Sequence, residues 1–199
     1  MTDDKFLTIA TTSEGVYKEK GSRFLAFAYP VTTEDEVREL IKELKKTYFD
    51  ARHHVYAFRL GCDMKTYRCS DDGEPSNSSG PPVLGQIQSN NLTNILIVVV
   101  RYFGGTKLGV PGLINAYRSA AADAIANNQI VEQFEMDTFT ISFGYETMNS
   151  VMKVIKDEQP EQRNQQYDNV CSITLSIRKM NSETLRNKLL SIEGVTINE

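Results

Sequence analysis

A chain of 199 residues, 40% apolar and 24% charged, has the composition of a folded protein, which excludes extended disorder. Its length suffices for one large core or two modest ones. The formal net charge of -4 and a pI of about 5.4 weigh against indiscriminate DNA or RNA binding, although net charge leaves a local basic face open. No apolar run approaches the roughly 20 residues that cross a bilayer. The opening Met-Thr-Asp-Asp-Lys lacks a secretory pattern, so a cytoplasmic protein without a membrane partner is expected. Cys62, Cys69 and Cys171 have no Cys-x-x-Cys spacing and read as reduced thiols, with neither disulfide nor zinc site indicated.

In chain order, residues 15–20 and 23–31 read as strands around the turn Lys20-Gly21-Ser22. Thr33 and Glu36 form a capping box that opens a helix to about Lys46, with Val37, Leu40, Ile41 and Leu44 as its apolar stripe. Residues 51–60 and 66–69 read as paired strands. Residues 70–82 carry no hydrophobic period and read as a loop, followed by a short helix over 83–88. The first domain is organised around residues 94–118. Ile95 to Val100 is a continuous apolar run, the pattern of a central strand covered on both faces. Gly104 and Gly105 then turn the chain, Pro111 suits a first helical turn, and Ile114, Tyr117, Ala121 and Ile125 keep helical spacing.

The second part reads as a long strand over 130–144, a helix over 145–157, strands 162–167 and 170–179 joined through Asp168-Asn169, a helix capped by Ser182, and a closing strand 195–198. That order is the split β-α-β arrangement, with both helices on one face of the sheet and the other face free to dock. An α+β chain is expected, with domains at 1–131 and 134–199.

Three sets of residues are candidates for chemistry. Gly104-Gly105-Thr106-Lys107-Leu108-Gly109 lies between strand and helix, the context for cradling an anion on backbone N–H groups, yet it fits no Walker or dinucleotide fingerprint. Arg101, Lys107 and Arg118 could grip phosphate, Tyr102 or Phe103 could stack on a base, and Arg52, Arg59 and Arg68 could extend the basic face. His53 and His54 are the only histidines; adjacent on a strand, they point to opposite faces and cannot jointly clamp one metal without a distortion such as a bulge. Asp71, Asp72 and Glu74, near Ser76, Ser78 and Ser79, form the only tight acidic group set beside Gly and Ser residues, which could hold Mg²⁺ if folded inward. No nucleophile elbow is present. No cofactor and no resident metal are expected, and no catalytic set is assigned.

Residues 51–59 (Ala-Arg-His-His-Val-Tyr-Ala-Phe-Arg), 70–76 (Ser-Asp-Asp-Gly-Glu-Pro-Ser) and 100–109 (Val-Arg-Tyr-Phe-Gly-Gly-Thr-Lys-Leu-Gly) resemble, in that order, the signature segments of the Impact-type family. The second part is similar to the C-terminal domain of the family's bacterial members. The resemblance implies a first domain like the second domain of ribosomal protein S5 and a ferredoxin-like second domain like domain V of elongation factor G. It implies no established enzymatic activity. Eukaryotic members regulate translation with the help of an additional RWD domain that these residues do not supply. For bacterial-type members it implies contact with RNA or the ribosome, or with a translation-related protein. Two stretches depart from the family's pattern: Asn77 to Pro82 lacks its basic residue, and Val110-Pro111-Gly112 lacks a glycine. A non-catalytic RNA-contacting protein is therefore the leading reading. A Mg²⁺-dependent hydrolase of a phosphorylated small molecule and a protein-docking module are the alternatives.

Overall fold

The structure, a computed structural model, describes residues 4–198. Residues 1–3, which bear on the secretory reading, and Glu199 lie outside them. The described residues form two compact units of mixed α and β structure, a large one of residues 6–133 and a small one of residues 134–198 joined by residues 4–5.

In the large unit the chain runs β1 (Lys5–Ile9), β2 (Ser13–Glu19), β3 (Ser22–Pro30), α1 (Glu34–Thr47), β4 (His53–Leu60), β5 (Thr66–Ser70), α2 (Gly80–Ser89), β6 (Ile95–Tyr102), α3 (Gly109–Ala126) and β7 (Ile130–Phe134). The main sheet has the order β2-β3-β6-β4-β5 and is antiparallel at every junction. β6 stands at its centre, and all six residues from Ile95 to Val100 are fully buried. Alternate residues feed two cores. Ile95, Ile97 and Val99 pack with Phe24, Val55 and Ala57 against α2 and α3. Leu96, Val98 and Val100 pack with Phe27, Phe58, Val37 and Leu44 under α1. The capping box forms as read: Thr33 Oγ1 accepts from the Glu36 N–H while the Glu36 carboxylate accepts from the Thr33 N–H.

Three local readings change. β1 has no counterpart in the periodicity and pairs with β7 in a separate two-stranded sheet. α2 begins at Gly80, inside the stretch read as loop, because Pro81 and Pro82 fit its first turn and Asp71 supplies a remote cap. The strand expected over 130–144 breaks at Glu135, whose N–H donates to Asp4 O and whose carbonyl accepts from Lys179 N–H.

The small unit contains β8 (Met136–Phe143), a 3₁₀ turn at Tyr145–Thr147, α4 (Met148–Glu158), β9 (Glu161–Tyr167), β10 (Cys171–Arg178), α5 (Lys179–Leu190) and β11 (Thr196–Asn198), with strand order β11-β8-β10-β9. Phe139, Ile141, Phe143, Cys171, Ile173 and Leu175 fill one face and pack with residues of α4 and α5. The opposite face carries hydroxyls instead of apolar groups. Thr138 donates to Ser176 at 3.0 Å, and Thr140 and Thr174 share a hydrogen bond at 3.1 Å. Ser182 is not a cap: α5 starts three residues earlier, and the buried Ser182 hydroxyl donates to the Asp137 carboxylate.

Candidate functional site

β4 and β6 are paired so that His53 lies opposite Arg101. Both side chains therefore emerge on the α2/α3 side, at the end of the sheet where β6 enters the glycine loop. They open onto a cavity of about 540 Å³ lined by Arg52, His53, Gly73, Glu74, Pro75, Arg101, Phe103, Lys107, Leu108, Gly109, Val110 and Leu113. Three cationic side chains thus face one carboxylate, a positive balance inside an acidic chain.

That carboxylate is the electrostatic hinge of the site. The Glu74 side chain is 4% exposed, and its Oε1 accepts from Arg101 Nη1 at 2.5 Å and from the Tyr117 hydroxyl at 2.7 Å. Burial, reinforced by the Glu74 charge, drives the Tyr117 phenol far above its ordinary range, so it remains a donor. The Arg101 guanidinium carbon stands 5.4 Å from the Phe24 ring centre and 5.7 Å from that of Phe103. Arg101 is 7% exposed, and its Nε–H has no hydrogen-bond partner among the described residues.

His53 Nδ1 lies 2.8 Å from Asp72 O. A carbonyl only accepts, so Nδ1 carries a proton and donates it to Asp72 O. Nε2 is 3.9 Å from Glu74 Oε1. His54 turns to the other face, where its N–H donates to Asp72 Oδ2 at 2.6 Å and its Nε2 meets Tyr48 O at 3.1 Å. Burial lowers its pKa, against the opposing pull of Asp72.

The three loop carboxylates do not converge. Asp72 at φ +42° and Gly73 at φ +87° reverse the backbone between them. Asp71 turns toward α2, where Oδ1 accepts from Ser79 N–H, the Ser79 hydroxyl and Gly80 N–H, and Oδ2 from Asn77 N–H. Burial alone would raise the Asp71 pKa; these donors outweigh it and hold it below the ordinary range. Asp72 balances burial in the same way with the His54 N–H and the Lys45 ammonium, the latter at 2.9 Å. Among the described residues no group of three His, Cys, Asp or Glu is placed to hold a metal ion.

α3 begins at the cavity with Gly109 at φ +72° and no side-chain cap, since Leu108 occupies that position. The first-turn N–H groups of an 18-residue helix thus lie next to Lys107. Gly104 makes the approach possible: a Cβ there would stand 1.9 Å from Gly21 C, and its N–H donates to Ser22 Oγ.

Of the residues singled out from sequence, Arg52, His53, Glu74, Arg101, Phe103 and Lys107 meet at the cavity. Gly104 and Gly105 shape the adjoining loop without lining it. Tyr102 faces the opposite side, its hydroxyl donating to Asp50 Oδ1 at 2.8 Å. Arg59 pairs with Ile95, six residues from the Arg101 level and so about 20 Å away along the strand. There it is buried, with Nε donating to Leu92 O. Arg118 and Ser76 are exposed and outside the lining. Arg68 reaches toward Glu34 of α1. The periodicity missed Tyr117 as a partner of the site, although a tyrosine on a buried helical stripe needs an acceptor for its hydroxyl. It also missed Pro75, Leu108, Val110 and Leu113 as an apolar lining.

No helix among the described residues is long and apolar enough to cross a membrane. YvyE of Bacillus subtilis, an IMPACT family member, is 31% identical over 154 residues, covering 77% of this chain and 71% of its own. A second IMPACT family member, from Thermus thermophilus, is 43% identical over 104 residues, 52% of this chain and 55% of the relative. A crystal structure of a hypothetical protein superposes with a TM-score of 0.74 over 98% of this chain and 97% of that one, at 23% identity, a likeness of fold alone. The Impact N-terminal domain model matches residues 20–125, a span that contains every residue lining the cavity, and the chain belongs to the IMPACT family.

Proposed function

We propose that this chain is a non-catalytic binding protein linked to translation, contacting RNA or the ribosome through the cavity at the end of β6. The observation that carries the reading is the set of groups around it: an uncapped α3 N-terminus, Lys107 and Arg52 at the opening, and Phe103 half-exposed beside them. Backbone N–H groups and cations meet phosphate oxygens, while an exposed ring offers a face to an unstacked base. The link to translation comes from family resemblance. The small unit's strand order β11-β8-β10-β9 supports a ferredoxin-like assignment for residues 134–199, and residues 1–131 are assigned to a domain like the second domain of ribosomal protein S5.

Titration of labelled single-stranded RNA against salt tests the reading. Two or three neutralised phosphates give a slope of log K on log salt of about -1.4 to -2.1. Lys107→Ala is expected to lower the magnitude of that slope by about 0.7. Binding that ignores salt, or no binding to any RNA, removes the proposal.

A further inference from the structure

The lining of the cavity joins two chemistries, and that pairing narrows the ligand. Its polar part is Arg52, His53, Arg101, Lys107 and the α3 N-terminus, with Glu74 as the one carboxylate, already held by Arg101 and Tyr117. Its apolar part is Pro75, Phe103, Leu108, Val110 and Leu113. We infer that the cavity receives one unpaired nucleotide at a time, its phosphate against the α3 N-terminus, Lys107 and Arg52, and its base against Phe103 and the apolar part. This rests on the RNA-binding reading above and specifies its unit of recognition.

The volume of about 540 Å³ falls in the range of small-molecule sites, roughly 300–1,000 Å³. An inorganic phosphate would satisfy the cations but leave the apolar part wet. A nucleoside would cover that part but leave the cations and helix N–H groups without an anion. In a duplex the base faces are stacked against one another, so it can offer the cavity only its backbone and groove edges. A single nucleotide, either a chain end or a splayed-out loop residue, presents both chemistries together.

Two further observations bear on the polar part, independently of the helix terminus. Arg101 is more than nine-tenths buried, lines the cavity, and keeps its Nε–H without a hydrogen-bond partner among the described residues although Glu74 engages Nη1. One carboxylate therefore does not saturate that guanidinium, whose charge draws an anion into the cavity although the Nε–H itself is enclosed. His53 is oriented by the Nδ1 contact to Asp72 O, which leaves its Nε2 edge for a polar group of the ligand such as a ribose hydroxyl. Phe103 is 50% exposed, so its ring is available without rearrangement of the core.

The experiment is a competition assay with the full chain and a short labelled oligouridylate. Unlabelled competitors are uridine monophosphate, uridine, inorganic phosphate, and the same oligonucleotide paired with its complement. The monophosphate should compete at least about tenfold better than uridine or phosphate alone, and the duplex should compete poorly. Phe103→Ala should weaken the single strand by roughly five- to a hundredfold, the range for loss of one base–aromatic stack, while Phe103→Tyr keeps affinity. Circular dichroism should show both variants folded, as expected at a half-exposed position. If the duplex binds as tightly as the single strand and the monophosphate does not compete, phosphate binding stands and the single-nucleotide inference falls. Undiminished binding by Phe103→Ala overturns it as well. Absence of binding by every form of RNA removes both readings.

Discussion

The two sheets of this chain solve burial in different ways. The five-stranded sheet of the large unit is covered on both faces, and its central strand is continuously buried from Ile95 to Val100. In the four-stranded sheet of the small unit, β10 alternates between buried apolar and partly exposed polar residues, Cys171, Ile173, Leu175 and Ile177 against Ser172, Thr174, Ser176 and Arg178. A sheet with both faces covered has only its ends and edges free for a ligand. The cavity accordingly sits where β6 runs into α3, among groups from four separate segments. The small unit's free face is broad, but its hydroxyls largely satisfy one another. A site of mixed charge and apolar chemistry is thus found at the end of the covered sheet.

The sharpest way to break this comparison is one charge placed in each sheet. Val98→Asp buries an unpaired carboxylate at a position with 0% exposure and should unfold the large unit, a cost above about 4 kcal/mol. Thr174→Asp, on the free face of β10, should cost less than about 1 kcal/mol. Amide NMR spectra would separate the units, and equal loss of dispersion in both would deny the difference in burial.

Next in size is the ion pair under the cavity. Glu74→Ala leaves the Arg101 guanidinium without its counter-charge and the Tyr117 hydroxyl without its acceptor. A cost of about 3–5 kcal/mol is expected from a broken buried pair. Because Arg101 also lines the cavity, inorganic phosphate should restore part of the lost melting temperature by binding the folded state. Calorimetry with and without phosphate reads both effects. A melting temperature unchanged by the substitution would mean that the pair contributes nothing.

Legibility in the sequence followed the range of the interactions. β6, α1 with its capping box, and the alternation of β10 depend on neighbours within one turn or one pleat, and their residues announce them. The break at Glu135 depends on Asp4 and Lys179, distant in sequence, so no local pattern marks it. α2 starts early because Asp71 reaches its first turn from eight or nine residues back. The acidic loop shows the same limit at the site. Asp71, Asp72 and Glu74 are neighbours in sequence, yet positive φ angles at Asp72 and Gly73 send them to a helix cap, a strand end and a cavity. His53 and Arg101 were recognisable as residue types, but their meeting is a matter of register between β4 and β6.

Acid should separate the units in order. The only two histidines are in the large unit, and His54 has a folded pKa lowered chiefly by burial. A lowered value stabilises the fold fully above the unfolded pKa of about 6.5, and that contribution drains away as pH falls through the folded value. Asp4 and Asp137 in the small unit are lowered first by their hydrogen bonds to Arg178 and Ser182. Asp71 and Asp72 in the large unit are lowered by donors that outweigh burial. These carboxylates stabilise above about pH 4 and lose that contribution only below it. Hydrogen exchange followed from neutral pH downward should therefore show the large unit weakening first, below about pH 6.5, with the small unit holding until about pH 4. Simultaneous loss at one pH would contradict the assignment of His54 as the first group to yield.

The smallest effect concerns what the hydroxyl face is for. Thr140 and Thr174 are direct cross-strand partners that share one hydrogen bond, at 3.1 Å. Replacing both with valine removes donor and acceptor together, so neither is stranded, and valine suits a strand at least as well as threonine. Stability of the Thr140→Val/Thr174→Val double variant should stay within about 0.5 kcal/mol of the parent in urea unfolding. Solubility is where the change should register, because two adjacent apolar side chains on a broad sheet face begin a sticky patch. Sedimentation velocity should show more self-association with rising concentration. A loss above about 1 kcal/mol with no added association would mean that the ladder holds the sheet together, and that the small unit relies on its polar face as the large unit relies on its core.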